Sequence, residues 1–96
     1  MAKYAVIYED EQKGALAPDL LKGHVEHIRN LCSRGVIFLC GPLKKSGGKA
    51  LLIFEANSLE EVEDYVLQDP FIVHKWYASY HIYEWIEANE SNNYLM

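Results

Sequence analysis

The chain lacks most of the features that mark specialised small proteins, and each shortage excludes something. Two cysteines in 96 residues, Cys32 and Cys40, are too few for a disulfide scaffold. Neither belongs to a Cys-x-x-Cys pair, so buried free thiols in a reducing compartment are expected. Basic residues are scarce too: nine Lys and Arg against fourteen Asp and Glu leave a net charge of −5. Lys44, Lys45 and Lys49 form the only basic cluster and have the look of a solvated turn, so no nucleic-acid partner is expected. No apolar run approaches the ~18 residues of a membrane span, and no charged-then-apolar leader opens the chain. A cytoplasmic protein without a membrane partner is the expectation. Hydrophobic residues make up 50% and charged residues 24% of the chain, which is ordinary for one globular domain spanning residues 1–96.

Periodicity supplies the elements. Lys3 to Tyr8 is β-branched and aromatic and is followed by the polar run Glu9 to Gly14, a strand and a loop. Pro18 suits a first helical turn and Gly35 suits the position after a last one, predicting a helix from about Pro18 to Arg34. Val36 to Cys40 is a short apolar run stopped by Gly41-Pro42, and Ala50 to Ala56 returns as a third strand after a turn tipped by Ser46-Gly47-Gly48. Ser58 with Glu61 forms a capping box ahead of Leu59, Val62, Tyr65 and Val66, and the second helix is expected to stop at Asp69, before Pro70. Ala78 to Ile86 is the fourth strand. Residues 87–96 are polar and are expected to be a loose tail or one exchanged between subunits.

The order βαββαβ predicts an α+β, ferredoxin-like fold with two helices on one face of a four-stranded antiparallel sheet. Two helices cover one face only, yet Val36 to Cys40 and Ala50 to Phe54 are apolar on both faces. A second copy of the chain is the economical cover, which predicts a homodimer with two sheets face to face, a dimeric α+β barrel with room for a small-molecule ligand.

His24 is the residue that asks for a function. At about 100° per residue it falls within the apolar arc of Leu21, Val25, Ile28 and Cys32, whereas Lys22, Glu26, His27 and Arg29 fall outside it. Burying the ring without a partner costs about 1–3 kcal/mol. A metal reading through His24 and His27 lacks a third ligand at a fixed spacing, so no metal is expected. Neither cysteine has the setting of a nucleophile, and His81 is expected to be a strand-face residue.

The string His24-Val25-x-His27 with Leu31 and Gly35, then Gly41-Pro42, Ser58-Leu59-Glu60-Glu61 and Asp69-Pro70-Phe71, resembles the YCII-related family of small dimeric α+β barrel proteins over about Lys3 to Trp85. The resemblance implies a pocket in which His24 and Asp69 form a dyad, with Gly41, Pro42, Pro70 and Phe71 as candidate substrate-binding residues. It also implies small cyclic or aromatic substrates, handled in this superfamily by isomerases, cofactor-free oxygenases and a dehydrochlorinase of a chlorinated hydroquinone. The chain departs from the family pattern at Leu21, where members often carry Arg, and at His74-Lys75-Trp76, where they tend to carry Gly. His74, Trp76 and Tyr77 join the candidates as a lid or wall, with aromatic packing at the dimer edge as the equal alternative.

An imidazole, with a pKa of about 6.5, moves protons at neutral pH, and a carboxylate on its other nitrogen fixes its tautomer. The expectation is therefore a cofactor-free acid–base enzyme for isomerisation, elimination or dehydrochlorination. The alternatives are a non-catalytic binding or accessory protein using the same cavity, and a His24 that is purely structural, with Asp69 merely ending a helix.

Overall fold

The computed structural model describes all 96 residues, Met1 to Met96. Strand β1 spans Ala2–Glu11, helix α1 Pro18–Ser33, β2 Ile37–Leu43, β3 Lys49–Ala56, helix α2 Leu59–Leu67, the one-turn helix α3 Pro70–Val73, and β4 Tyr77–Trp85. The four strands form one antiparallel sheet in the order β2-β3-β1-β4. That is the ferredoxin-like arrangement expected from the order of the elements, and no helix is long and apolar enough to cross a membrane.

Strand alternation sorts the sheet into two faces. Tyr4, Val6 and Tyr8 of β1 and Leu52, Phe54 and Ala56 of β3 point toward the helices and are buried, joined there by Leu31 of α1 and by Val62 and Val66 of α2. This is the core. Helix α2 starts as expected, with the Ser58 hydroxyl accepting from the Glu61 amide at 3.1 Å, although the Glu61 carboxylate reaches back to the amide of Asn57 rather than of Ser58. Gly35 follows α1 at φ +74°, the left-handed conformation that glycine adopts at least cost after a helix.

Four expectations are corrected. β1 and β2 run further than their apolar cores: Glu9 and Glu11 pair with Ser79 and Tyr77, and β2 continues through Gly41-Pro42 to Leu43. Proline is tolerated there because β2 is an edge strand, where a missing N–H breaks no ladder bond. Asp69 does not simply end the second helix, since its carboxylate caps α3 by accepting from the Phe71 amide at 3.0 Å. Cys32 and Cys40 are exposed, not buried. Finally, the packed side of α1 is formed by Leu20, Gly23, His24, His27, Ile28 and Leu31, while Leu21, Val25 and Cys32 are exposed. The inward face is thus rotated by roughly a quarter turn from the apolar arc, with His24 and Ile28 common to both.

The rotation has a physical cause. Gly23 and His27 carry little apolar weight in a periodicity count, yet both face the body of the protein. A Cβ at Gly23 would lie 3.3 Å from the Pro70 ring, so the glycine lets α1 and α3 approach closely. His27 is not solvated, because its Nε2 meets the Tyr65 carbonyl oxygen at 2.9 Å.

The opposite sheet face carries no helix. Ile53, buried yet outside the helix-side cluster, pairs there with Leu39 and with Ala5, and Ala5 pairs in turn with Tyr83. Around them Phe38, Leu39, Tyr83 and Trp85 are 42–71% exposed. The tail is locally ordered: Glu90–Leu95 forms a kinked 3₁₀ segment capped by Asn89 and Asn92, and Tyr94, Leu95 and Met96 are exposed.

Candidate active site

Asp69 is the one buried charged residue, with no exposed surface. It survives there because three donors from three elements converge on it. The Tyr8 hydroxyl of β1 donates to Oδ2 at 2.8 Å, the Phe71 amide of α3 donates to Oδ1 at 3.0 Å, and Nδ1 of His24 on α1 lies 2.8 Å from Oδ1. No buried side-chain polar atom in the protein lacks a partner. A carboxylate can only accept, so Nδ1 of His24 carries the proton and donates it. In the neutral ring the lone pair is then on Nε2, the ring nitrogen with no protein partner.

Aromatic packing holds the His24 ring in place. It stacks on Phe71 with centroids 3.7 Å apart and planes 6° from parallel. Phe71 in turn touches Trp76 and Tyr77, at 6.4 and 5.9 Å between centroids, and Tyr77 contacts Tyr8 at 5.5 Å. Orientation of the ring is therefore set from two sides, by a hydrogen bond in its plane and a stack on its face.

His24 opens onto a cavity of about 310 Å³ between α1, α3 and the helix-side face of β1, β2 and β3. That is the lower end of the range for small-molecule sites, enough for one substituted ring. Leu21 and Val25, exposed on α1, form part of its apolar wall, which explains their place in the sequence pattern without a place in the core. Of the residues singled out from sequence, Gly41, Pro42, Phe71 and Trp76 line this cavity with His24, and Asp69 lies behind them as the buried partner of the ring. Pro70 and His74 do not line it; they border a separate shallow depression with Ala17, Asp19, Leu20 and Gly23.

Two site residues escaped the sequence reading, Tyr8 and Glu11, whereas Tyr77, a candidate for the wall, lines the cavity. Tyr8 sits among apolar strand residues and scans as core, and Glu11 lies in a run that scans as loop. The Tyr77 hydroxyl donates to Glu11 Oε2 at 3.3 Å at the cavity wall. Burial, reinforced by the Glu11 charge, pushes the Tyr77 phenol up to about 12, and burial followed by the Asp69 charge pushes Tyr8 higher still. Both remain O–H donors throughout the range in which imidazole chemistry operates.

The YCII-related domain family matches the chain over residues 1–86. No curated protein matches it. Among solved structures it is similar to a 5-chloro-2-hydroxyhydroquinone dehydrochlorinase, TftG, from Burkholderia phenoliruptrix, determined as a complex with 2,5-dihydroxybenzoquinone. The two share 26% identity and superpose with a TM-score of 0.70, over 88% of this chain and 94% of that one.

Tyr8→Phe is expected to lower stability by about 1–3 kcal/mol, because it strands Oδ2 of Asp69 in the interior; denaturant midpoints at an unchanged slope would measure this. Alkaline stability follows from the raised phenols. An unfolded Tyr77 releases its proton near pH 10, whereas the folded one holds it to about 12, so stability present below pH 10 falls as pH rises through that window. Tyr77→Phe is expected to flatten the fall between pH 10 and about 12 in the same denaturation measurement.

Proposed function

This chain belongs to the YCII-related family, and on that premise we propose that it is a cofactor-free acid–base enzyme acting on a small hydroxylated ring, with His24 as the catalytic base and acid and Asp69 as its positioning partner. The observation that carries the reading is the 2.8 Å contact between His24 Nδ1 and a carboxylate that is wholly buried. The contact commits His24 Nδ1 and leaves Nε2 without a protein partner beside a cavity with room for one ring. The dehydrochlorination named for TftG is the type of reaction such a nitrogen suits.

The step is simple. Nε2 removes a proton from a ring hydroxyl or an activated C–H, and the electron pair released shifts into the ring. In an isomerisation Nε2 returns that proton at a ring carbon; in an elimination from a chlorinated polyphenol the carbon that receives it is the one bearing chlorine, and removal of a second hydroxyl proton from the resulting tautomer then expels chloride and leaves the quinone. Asp69 faces the positive charge that develops on the imidazole and keeps the ring from turning. Phe71, Trp76, Leu21 and Val25 keep water from much of the cavity, which strengthens the His–Asp interaction.

The working unit is a homodimer. Phe38, Leu39, Tyr83 and Trp85 present an apolar sheet face with no covering element, and a second copy brings an identical face against it. The same molecule carries its own His24, Asp69 and Tyr8, so each subunit holds its own base with the groups that position it.

With chloride release from a chlorinated hydroxyhydroquinone as the assay, His24→Gln is expected to lower kcat by about 10²–10⁴-fold while leaving circular dichroism unchanged. Asp69→Asn is expected to lower kcat more than it raises KM. Ligand binding with no product from any substituted ring would instead establish a carrier. In sedimentation at micromolar concentration the protein is expected to run as a dimer, and Leu39→Glu to shift it to monomer; a folded wild-type monomer would overturn the two-sheet assembly.

A further inference from the structure

The cavity has an unusual set of charges. No lysine or arginine lines it, and its one carboxylate is Glu11. Glu11 ends β1 directly opposite Tyr77, the first residue of β4, and its Oε2 accepts the Tyr77 hydroxyl. Its second oxygen, Oε1, has no protein partner.

The backbone keeps Glu11 there. The Glu11 amide bonds to the Gly48 carbonyl at 3.3 Å, and the next amide, of Gln12, bonds to the Trp76 carbonyl at 2.7 Å. Gly48, at φ +94°, is where the β2–β3 hairpin passes closest: a Cβ on it would lie 2.9 Å from the Glu11 Cβ. Only glycine lets the hairpin tip pass here without displacing the carboxylate. Two hydrogen bonds, a cross-strand pair and a bare glycine thus serve the placement of one acidic side chain at the rim of an apolar cavity.

A hydroxyl on a bound ring can donate to Oε1, while the Tyr77 proton stays committed to Oε2. A carboxylate on the ring cannot: it has no proton to give, and it brings a second negative charge beside Glu11 with no lysine or arginine in the cavity to offset it. We propose that Glu11, braced by Tyr77, is the specificity-determining residue of this cavity, selecting uncharged, hydroxyl-bearing rings of the polyphenol class against ring carboxylates. The proposal rests on the cavity being the substrate site. Solvent screens Glu11, which is exposed, so the discrimination is a matter of about tenfold in affinity rather than several orders of magnitude.

The test uses two rings that differ in one group, hydroquinone and 4-hydroxybenzoate, titrated into the full-length protein at neutral pH while the His24 ring resonances are followed by NMR. Hydroquinone is expected to bind about tenfold more tightly. In Glu11→Gln, whose amide oxygen still accepts from Tyr77, 4-hydroxybenzoate is expected to gain affinity until the ratio approaches one. Equal affinities in the wild type, or a ratio untouched by Glu11→Gln, would overturn the selectivity while the His24 shifts left the site itself standing. If neither ring moves the His24 resonances, the cavity is not the substrate site and the proposal falls with it.

Discussion

A carboxylate with no access to water organises this molecule. Asp69 stays buried only while Tyr8, His24 and the Phe71 amide all reach it, and these come from β1, α1 and α3 respectively. Losing any one donor leaves a buried lone pair unpaired, so the three elements are held to one geometry by a shared penalty rather than by shape alone. α3 shows the constraint most clearly. Four residues are too few to form a helix unaided. This one exists because Pro70 presets its first turn and Asp69 caps it, and its reward is to place Phe71 under the His24 ring.

Legibility from sequence divides along the same line. Whatever is written locally is readable: the order of elements, Pro18 and Gly35 at the ends of α1, Ser58 with Glu61 at the start of α2. Whatever depends on which side of an element meets which neighbour is not. Leu21 and Val25 are apolar because they wall a cavity, a reason that periodicity cannot tell from core packing. Gly23 and His27 face inward because of Pro70 and the Tyr65 carbonyl, each more than thirty residues away. His24 was visible because it lies within both the apolar arc and the packed face. Tyr8 was not, since a buried tyrosine whose hydroxyl meets an aspartate 61 positions later has the same local pattern as one in a plain core.

The edge position of β2 has a similar logic. Gly41-Pro42 has the appearance of a strand terminator, and in a central strand it would be one. At the sheet margin the missing N–H of Pro42 faces no partner strand, so the ladder continues to Leu43 while Gly41 and Pro42 contribute a smooth, small wall to the cavity. The same property keeps that margin from pairing with another chain's edge. It leaves the flat apolar face, rather than the edge, as the surface on which a second copy can pack.

The stability of this fold and the placement of His24 therefore draw on one set of contacts. Tyr8 has both ends committed: its ring packs in the core on the helix side of the sheet, and its hydroxyl holds Oδ2 of Asp69. Since Oδ1 is shared between the Phe71 amide and His24, the Tyr8 bond fixes the remaining freedom of the carboxylate to rotate, and with it the direction in which His24 is held. Tyr8 does not line up behind the imidazole as a reactive group; burial and the neighbouring charge keep its proton in place far above neutrality. Its role is to make the aspartate immobile. An immobile acceptor is what turns an ordinary surface-tilted histidine into one with a defined tautomer, a defined plane and one nitrogen left for a ligand.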